Sequence, residues 1–211
     1  MIVTSLQNAR VKQIRALRTR KERERTGLFF VDGLHLVVEA IRTGAPDRLG
    51  WIALAGTQYP GNLGTIVRTA DAVRADGVLL LDATADPYDP IAVRATAGAI
   101  FSTAIARASF AAFLAWARAR SLPIVGTAPD APTDYRSVRY RTPLILLMGR
   151  EGQGLPREHR ELCDTVVRIP MRGRCDSLNL AVATGVLLYE VFEQWRRDRP
   201  DGSHEPRSHR L

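Results

Sequence analysis

The chain has 211 residues, 45% of them apolar and 25% charged, ordinary proportions for one globular domain with room for a small appendage. No apolar run is long enough to span a bilayer, and Met1-Ile2-Val3-Thr4-Ser5-Leu6 is no signal peptide, so a cytoplasmic location is expected. The net charge of +8 comes from 28 Arg and 2 Lys against 22 acidic residues, a bias that belongs to the whole composition, so placement says more than the total.

Placement singles out the amino terminus. From Arg10 to Arg25 eight basic residues face only Glu22 and Glu24, and residues 5–25 read as a helix with Leu6, Val11, Ile14 and Leu17 on its apolar side. Arg10, Lys12, Arg15, Arg18 and Arg20 would give such a helix a phosphate-attracting face. The plainer alternative is a solvated helix laced with Glu-Arg pairs. Leu28 to Val31 then reads as a strand and Leu34 to Ile41 as a helix ending near Gly44. Residues 1–48 therefore form an appendage too small for its own core.

From residue 49 to 197 the pattern alternates. Strands are expected at Trp51–Ala55, Gly77–Leu81, Ser102–Ala106, Pro123–Thr127, Leu144–Met148 and Val166–Pro170. Helices are expected at Asn62–Ala75, from Asp89-Pro90 to Ala99, over Ser109–Arg120, briefly from Pro156, and from Leu178 to Trp195. Continuous apolar strands separated by helices predict an α/β fold with a largely parallel sheet buried on both faces. Residues 198–211 are polar and read as a disordered tail.

Three polar clusters sit at the ends of apolar strands, where open α/β sheets build ligand sites. They are Pro60-Gly61-Asn62-Leu63-Gly64 with Arg68-Thr69-Ala70, Gly149-Arg150-Glu151-Gly152-Gln153-Gly154, and Asp176-Ser177-Leu178-Asn179. Singly, each has an ordinary explanation. Asn62 can cap the helix after it, Arg68 can be a surface arginine, Ser177 can be an N-cap, and the glycine-rich run can be a tight left-handed turn. The glycine run lacks both the dinucleotide spacing and the phosphate-loop Lys-Ser/Thr. Cys163 and Cys175 make no metal set and read as small buried or half-buried residues, and no Ser-His-acid arrangement appears. No metal is expected.

Together, in order and spacing, the clusters resemble the three signature motifs of the SpoU (TrmH-type) RNA 2′-O-ribose methyltransferases. The matching runs are Pro60 to Ala70, Met148 to Leu155, and Ile169-Pro170-Met171 through Ser177-Leu178-Asn179 to Ala183, while Asp89-Pro90 with Val93 to Ala99 looks like the family's linking segment. The resemblance covers roughly residues 50–196. It implies a carboxyl-terminal trefoil knot and dimerisation through it, neither of which periodicity could show. It further implies S-adenosylmethionine held around Gly149, Ile169 and Leu178, with Thr127 and Met171 beside it and its methyl toward Arg68.

By the same resemblance Arg68 is the central catalytic residue. A guanidinium is effectively always protonated, so a donor that positions phosphate and stabilises the developing alkoxide suits it better than a base. Asn62 and Glu151 would orient Arg68 and the ribose, and Ser177 and Asn179 would shape the third loop. The expected substrate is structured RNA, ribosomal ahead of transfer RNA. Relatives carry a larger amino-terminal RNA-binding domain, most of which is missing between Gly44 and Trp51. The competing expectation is therefore an RNA-binding protein that keeps the fold without catalysis.

Overall fold

A computed structural model of the chain describes residue 12, residues 15–26 and residues 49–198. The expected strand at 28–31, the helix at 34–41, Arg10 and the tail from 199 lie outside these described residues.

The centre is a seven-stranded parallel sheet in the order β3-β2-β1-β6-β4-β7-β5. The strands are β1 (Gly50–Ala55), β2 (Gly77–Leu81), β3 (Ala104–Ala108), β4 (Ile124–Thr127), β5 (Thr133–Asp134), β6 (Leu144–Met148) and β7 (Thr165–Arg168). The sheet is accompanied by helices α1 (Arg20–Thr26), α2 (Pro60–Ala72), α3 (Pro90–Ala95), α4 (Phe110–Ala119), α5 (Arg157–Arg160) and α6 (Leu180–Arg197).

The period-two alternation of strand side chains divides the core into two layers. Ile52, Leu54, Val78, Leu80, Leu144, Leu146 and Met148 join Leu63, Ile66 and Val67 of α2 and Leu187, Leu188 and Val191 of α6 on one face. Ala53, Leu79, Leu81, Ile145 and Leu147 join Phe113 and Ala117 of α4 on the other. A side chain pointing either way from β1, β2 or β6 leaves water, which is why these strands read as unbroken apolar runs. Each such Leu or Ile contributes about 1.5–3 kcal/mol relative to an exposed one.

Boundaries shift where local chemistry says they should. α2 begins at Pro60, whose fixed φ suits the first turn. α3 ends at Ala95 rather than Ala99, because Ala97 (φ 49°) and Gly98 (φ 99°) turn left-handed before a single 3-10 turn at Ala99–Phe101. Gly64 lets α2 and α3 touch backbone to backbone, since a Cβ there would lie 2.2 Å from the Ala92 carbonyl oxygen. β3 begins two residues later than read, and the two-residue β5 has no counterpart in the sequence reading.

The helix expected over residues 5–25 is interrupted: Lys12, Arg15 and Ala16 are helical, and residues 5–11, 13 and 14 lie outside the described ones. The chain turns at Leu17–Thr19, and α1 starts at Arg20 behind Thr19, whose hydroxyl accepts from the Glu22 amide. Arg23 of α1 is buried against Asp86, which follows β2.

Candidate active site

The carboxyl ends of β4, β6 and β7 and the first turn of α2 enclose a cleft of about 990 Å³, within the usual size of small-molecule sites. All three polar clusters reach it. Asn62 and Thr65 line one side, Gly149 to Gly154 another, and Asp176 to Asn179 a third. Val167, Ile169, Met171, Leu178, Leu180 and Leu187 supply its apolar surface, with Thr127 among the lining residues beside them.

The glycine-rich turn is closed by a pair of backbone bonds, Arg150 N–H to Gly154 carbonyl at 3.1 Å and the reverse at 2.8 Å. Gly149 is buried where the returning chain crosses it. A Cβ on it would stand 2.1–2.3 Å from the Gly154 carbonyl and the Leu155 nitrogen, so only glycine fits. The closed turn carries Glu151 toward α2. There one carboxylate oxygen accepts from Asn62 Nδ2 at 3.0 Å and the other from the Gln58 amide at 3.1 Å.

Asn62 does not cap α2, contrary to the sequence reading. It lies within the helix, and the N-cap position is Tyr59, without a side-chain bond. Its Oδ1 accepts instead from Asn179 Nδ2 at 3.0 Å. Asn179 Oδ1 in turn accepts from the Ala181 and Val182 amides, so Asn179 rather than Ser177 is the N-cap of α6. Donor and acceptor follow one direction along this line: a carboxylate can only accept, and the free amides of a helix start can only donate.

The profile of the SpoU rRNA Methylase family matches residues 51–189, which hold every residue of this relay and the strands that carry it. The chain belongs to the SpoU rRNA methylase family. A second profile, the MRM3-like substrate binding domain, matches residues 8–57. The chain is 39% identical over 145 residues to the putative TrmH family tRNA/rRNA methyltransferase YacO of Bacillus subtilis, a match spanning 68% of this chain but only 58% of that protein. It is 26% identical to the 23S rRNA (guanosine(2553)-2'-O)-methyltransferase RlmP of the same organism, over 90% of this chain and 98% of that one. The crystal structure of an AdoMet-bound rRNA methyltransferase from Sinorhizobium meliloti superposes with a TM-score of 0.82 at 35% identity, covering 93% of this chain and 97% of that one.

In this SpoU chain the expected residues divide into three groups. Asn62, Glu151 and Asn179 are hydrogen-bonded to one another. Ser177, Gly149, Ile169, Leu178, Thr127 and Met171 line the same cleft without joining the relay. Arg68 stands apart: it is exposed on α2, outside the cleft lining, one turn beyond Thr65 on the stripe that starts at Gly61. The bonds of Asn62 and Glu151 run to each other, to Asn179 and to Gln58, and none reaches Arg68.

Among the basic residues Lys12, Arg15 and Arg18 are exposed, whereas Arg20 is paired with Glu24 at 2.7 Å and Arg25 with Glu22. Arg23, counted with them in the sequence, faces inward.

Other participants had no signal in the SpoU sequence. Gln58 orients Glu151 through its main chain, which any residue type could do. Arg160 lines the cleft and ties two of its loops together, donating to the Leu155 carbonyl and to Asp130, both at 2.7 Å. Cys175 is exposed, unlike the buried or half-buried residue expected. Cys163 is half-buried, and burial pushes its thiol up to about 11, so it stays protonated at neutral pH. Among the described residues no group of three or more His, Cys, Asp and Glu could hold a metal, and no helix is long and apolar enough to cross a membrane.

Proposed function

We propose that this chain transfers the methyl of S-adenosylmethionine to a ribose 2′-hydroxyl of structured RNA, ribosomal RNA in the first place. The observation that carries the reading is the relay from Glu151 through Asn62 to Asn179, which joins all three sequence clusters at one cleft. The names of the relatives, 23S rRNA 2′-O-methyltransferases among them, supply the class of substrate.

The cleft suits the donor. Its volume, the backbone turn closed at Gly149, and the apolar surface of Ile169, Leu178 and Leu180 beside Thr127 and Met171 fit an adenosyl group with a short polar chain. When bound, S-adenosylmethionine would supply an electrophilic methyl on a sulfonium. The protein's task is then alignment, which alone lowers the barrier of an in-line displacement by several kcal/mol.

The relay leaves distinct roles. Both oxygens of Glu151 and the amide of Asn62 are engaged within the protein, so these two hold loops in register. Ser177 and Arg68 carry polar groups free to meet RNA. Arg68, a fixed cation, would grip a phosphate and stabilise charge developing on the ribose oxygen.

Residues 1–48 would engage RNA through Lys12, Arg15 and Arg18, in line with the substrate-binding profile over residues 8–57. A second copy of the chain would cover the apolar groups left exposed on and beside α6, Leu178, Val182 and Tyr189, with the knot expected for this fold at the interface. A cytoplasmic location accords with an RNA substrate.

The test is incubation with labelled S-adenosylmethionine and total RNA from cells lacking such modification, followed by separation by size. Label in ribosomal RNA supports the reading. Donor binding without transfer to any RNA would support the non-catalytic alternative instead.

A further inference from the structure

Arg23 is 6% exposed and is, among the described residues, the one charged side chain that is buried. Its Nε and one terminal nitrogen both donate to the same oxygen of Asp86, at 3.3 and 2.7 Å, and the other terminal nitrogen donates to the Leu17 carbonyl at 2.7 Å. One guanidinium thus pins the turn at Leu17–Thr19 and α1 to the loop after β2. The second oxygen of Asp86 accepts from the Tyr88 amide at 3.0 Å, with Arg107 at 3.9 Å.

The loop leads directly to the cleft. The Asp86 carbonyl accepts from the Asp89 amide, and Asp89 caps α3 through the Ile91 amide at 2.8 Å. Ile91 and Ala95 of α3 line the cleft, and α3 is held against α2 at Gly64. A buried ion pair is seldom the most stable filling for its space, since an apolar pair of similar volume does as well or better. What it fixes is one orientation.

We propose that Arg23 and Asp86 are positioning residues that set the angle between the basic segment carrying Lys12, Arg15 and Arg18 and the cleft, so that RNA gripped by that segment is presented in register with the site. The proposal rests on the reading that this segment engages RNA. Neither residue touches substrate. Removing the pair lets the segment bind phosphates on its own, uncoupled from contacts along the cleft.

The test uses the full chain and an unmodified 23S rRNA transcript, with RNA affinity from filter binding, donor affinity from calorimetry and thermal melting read together. Arg23→Ala and Asp86→Ala each leave a buried charge and can lower stability. The double variant Arg23→Met/Asp86→Leu removes both charges while keeping volume, so it should melt near the parent. We expect it to hold the donor within about twofold while binding RNA at least about tenfold more weakly and with a shallower salt slope. Arg23→Lys, which restores the charge but not the fork, should recover part of the affinity. A double variant that melts normally and binds the transcript with unchanged affinity and salt slope would overturn the proposal. Absence of methyl transfer by the parent chain would instead overturn the proposed activity, since binding is measured separately.

Discussion

Asn62 and Asn179, 117 residues apart in sequence, meet side chain to side chain at 3.0 Å, Asn179 donating and Asn62 accepting. The contact fastens the start of α6 to the first turn of α2, the two helices that pack together over one face of the sheet. Glu151 fixes its direction. With the carboxylate accepting from Asn62, the asparagine oxygen is left for Asn179, whose own oxygen is left for the helix amides.

Asn179→Ala should therefore lose both a helix cap and a loop clasp. The expected loss of stability is about 1–2 kcal/mol in denaturant unfolding. Because Asn62 acts through the same contact, the Asn62→Ala/Asn179→Ala pair should cost clearly less than the sum of the singles. Additive losses would show that the contact does not persist in solution.

Gly149→Ala forces a methyl into the backbone of Gly154 and Leu155. The closed turn must open, with a loss of about 1–3 kcal/mol and of donor affinity together. Calorimetry with S-adenosylmethionine checks it, and unchanged affinity would remove this turn from the donor site.

Arg68→Ala separates chemistry from folding. The residue is exposed and makes no hydrogen bond within the described chain, so stability should stay within about 0.5 kcal/mol of the parent. Donor affinity should hold while transfer falls at least about 100-fold, the scale of a lost charge-stabilising donor. Lysine should restore little of it, lacking the planar fork. Normal methylation by Arg68→Ala would take the residue out of the mechanism.

Acid should release the amino-terminal helix before the rest. Desolvation, the largest influence on Asp86, pushes its carboxyl up, but hydrogen bonds from Arg23 and the Tyr88 amide with the charges of Arg23 and Arg107 hold it below its ordinary 3.8. A carboxyl depressed on folding contributes stability that is complete above its unfolded value and fades as pH falls through the folded one. Proteolytic sensitivity at residues 20–26 should thus rise only below about pH 4. It should be insensitive to pH in the Arg23→Met/Asp86→Leu variant.

Much of the sheet was legible because burial on both faces demands continuous apolar strands, and Gly77 to Leu81 and Leu144 to Met148 could be little else. β5 was not, since two residues carry no period. The clusters were legible as a set, yet their wiring was not. Asn before a helix reads as a cap, and nothing local in the sequence says that Asn62 answers Glu151 while Asn179 does the capping. Arg23 could not be singled out for a related reason. In a run of eight basic residues the buried one looks like the others, and its partner Asp86 lies 63 positions away.

The most direct test of ribose methylation by this cleft is analysis of the labelled product. RNA methylated by the purified chain is hydrolysed in alkali and its label located. Label in an alkali-resistant dinucleotide, from one position of ribosomal RNA and lost with Arg68→Ala, is the expected result. Label released with single nucleotides would place the methyl on a base and contradict it.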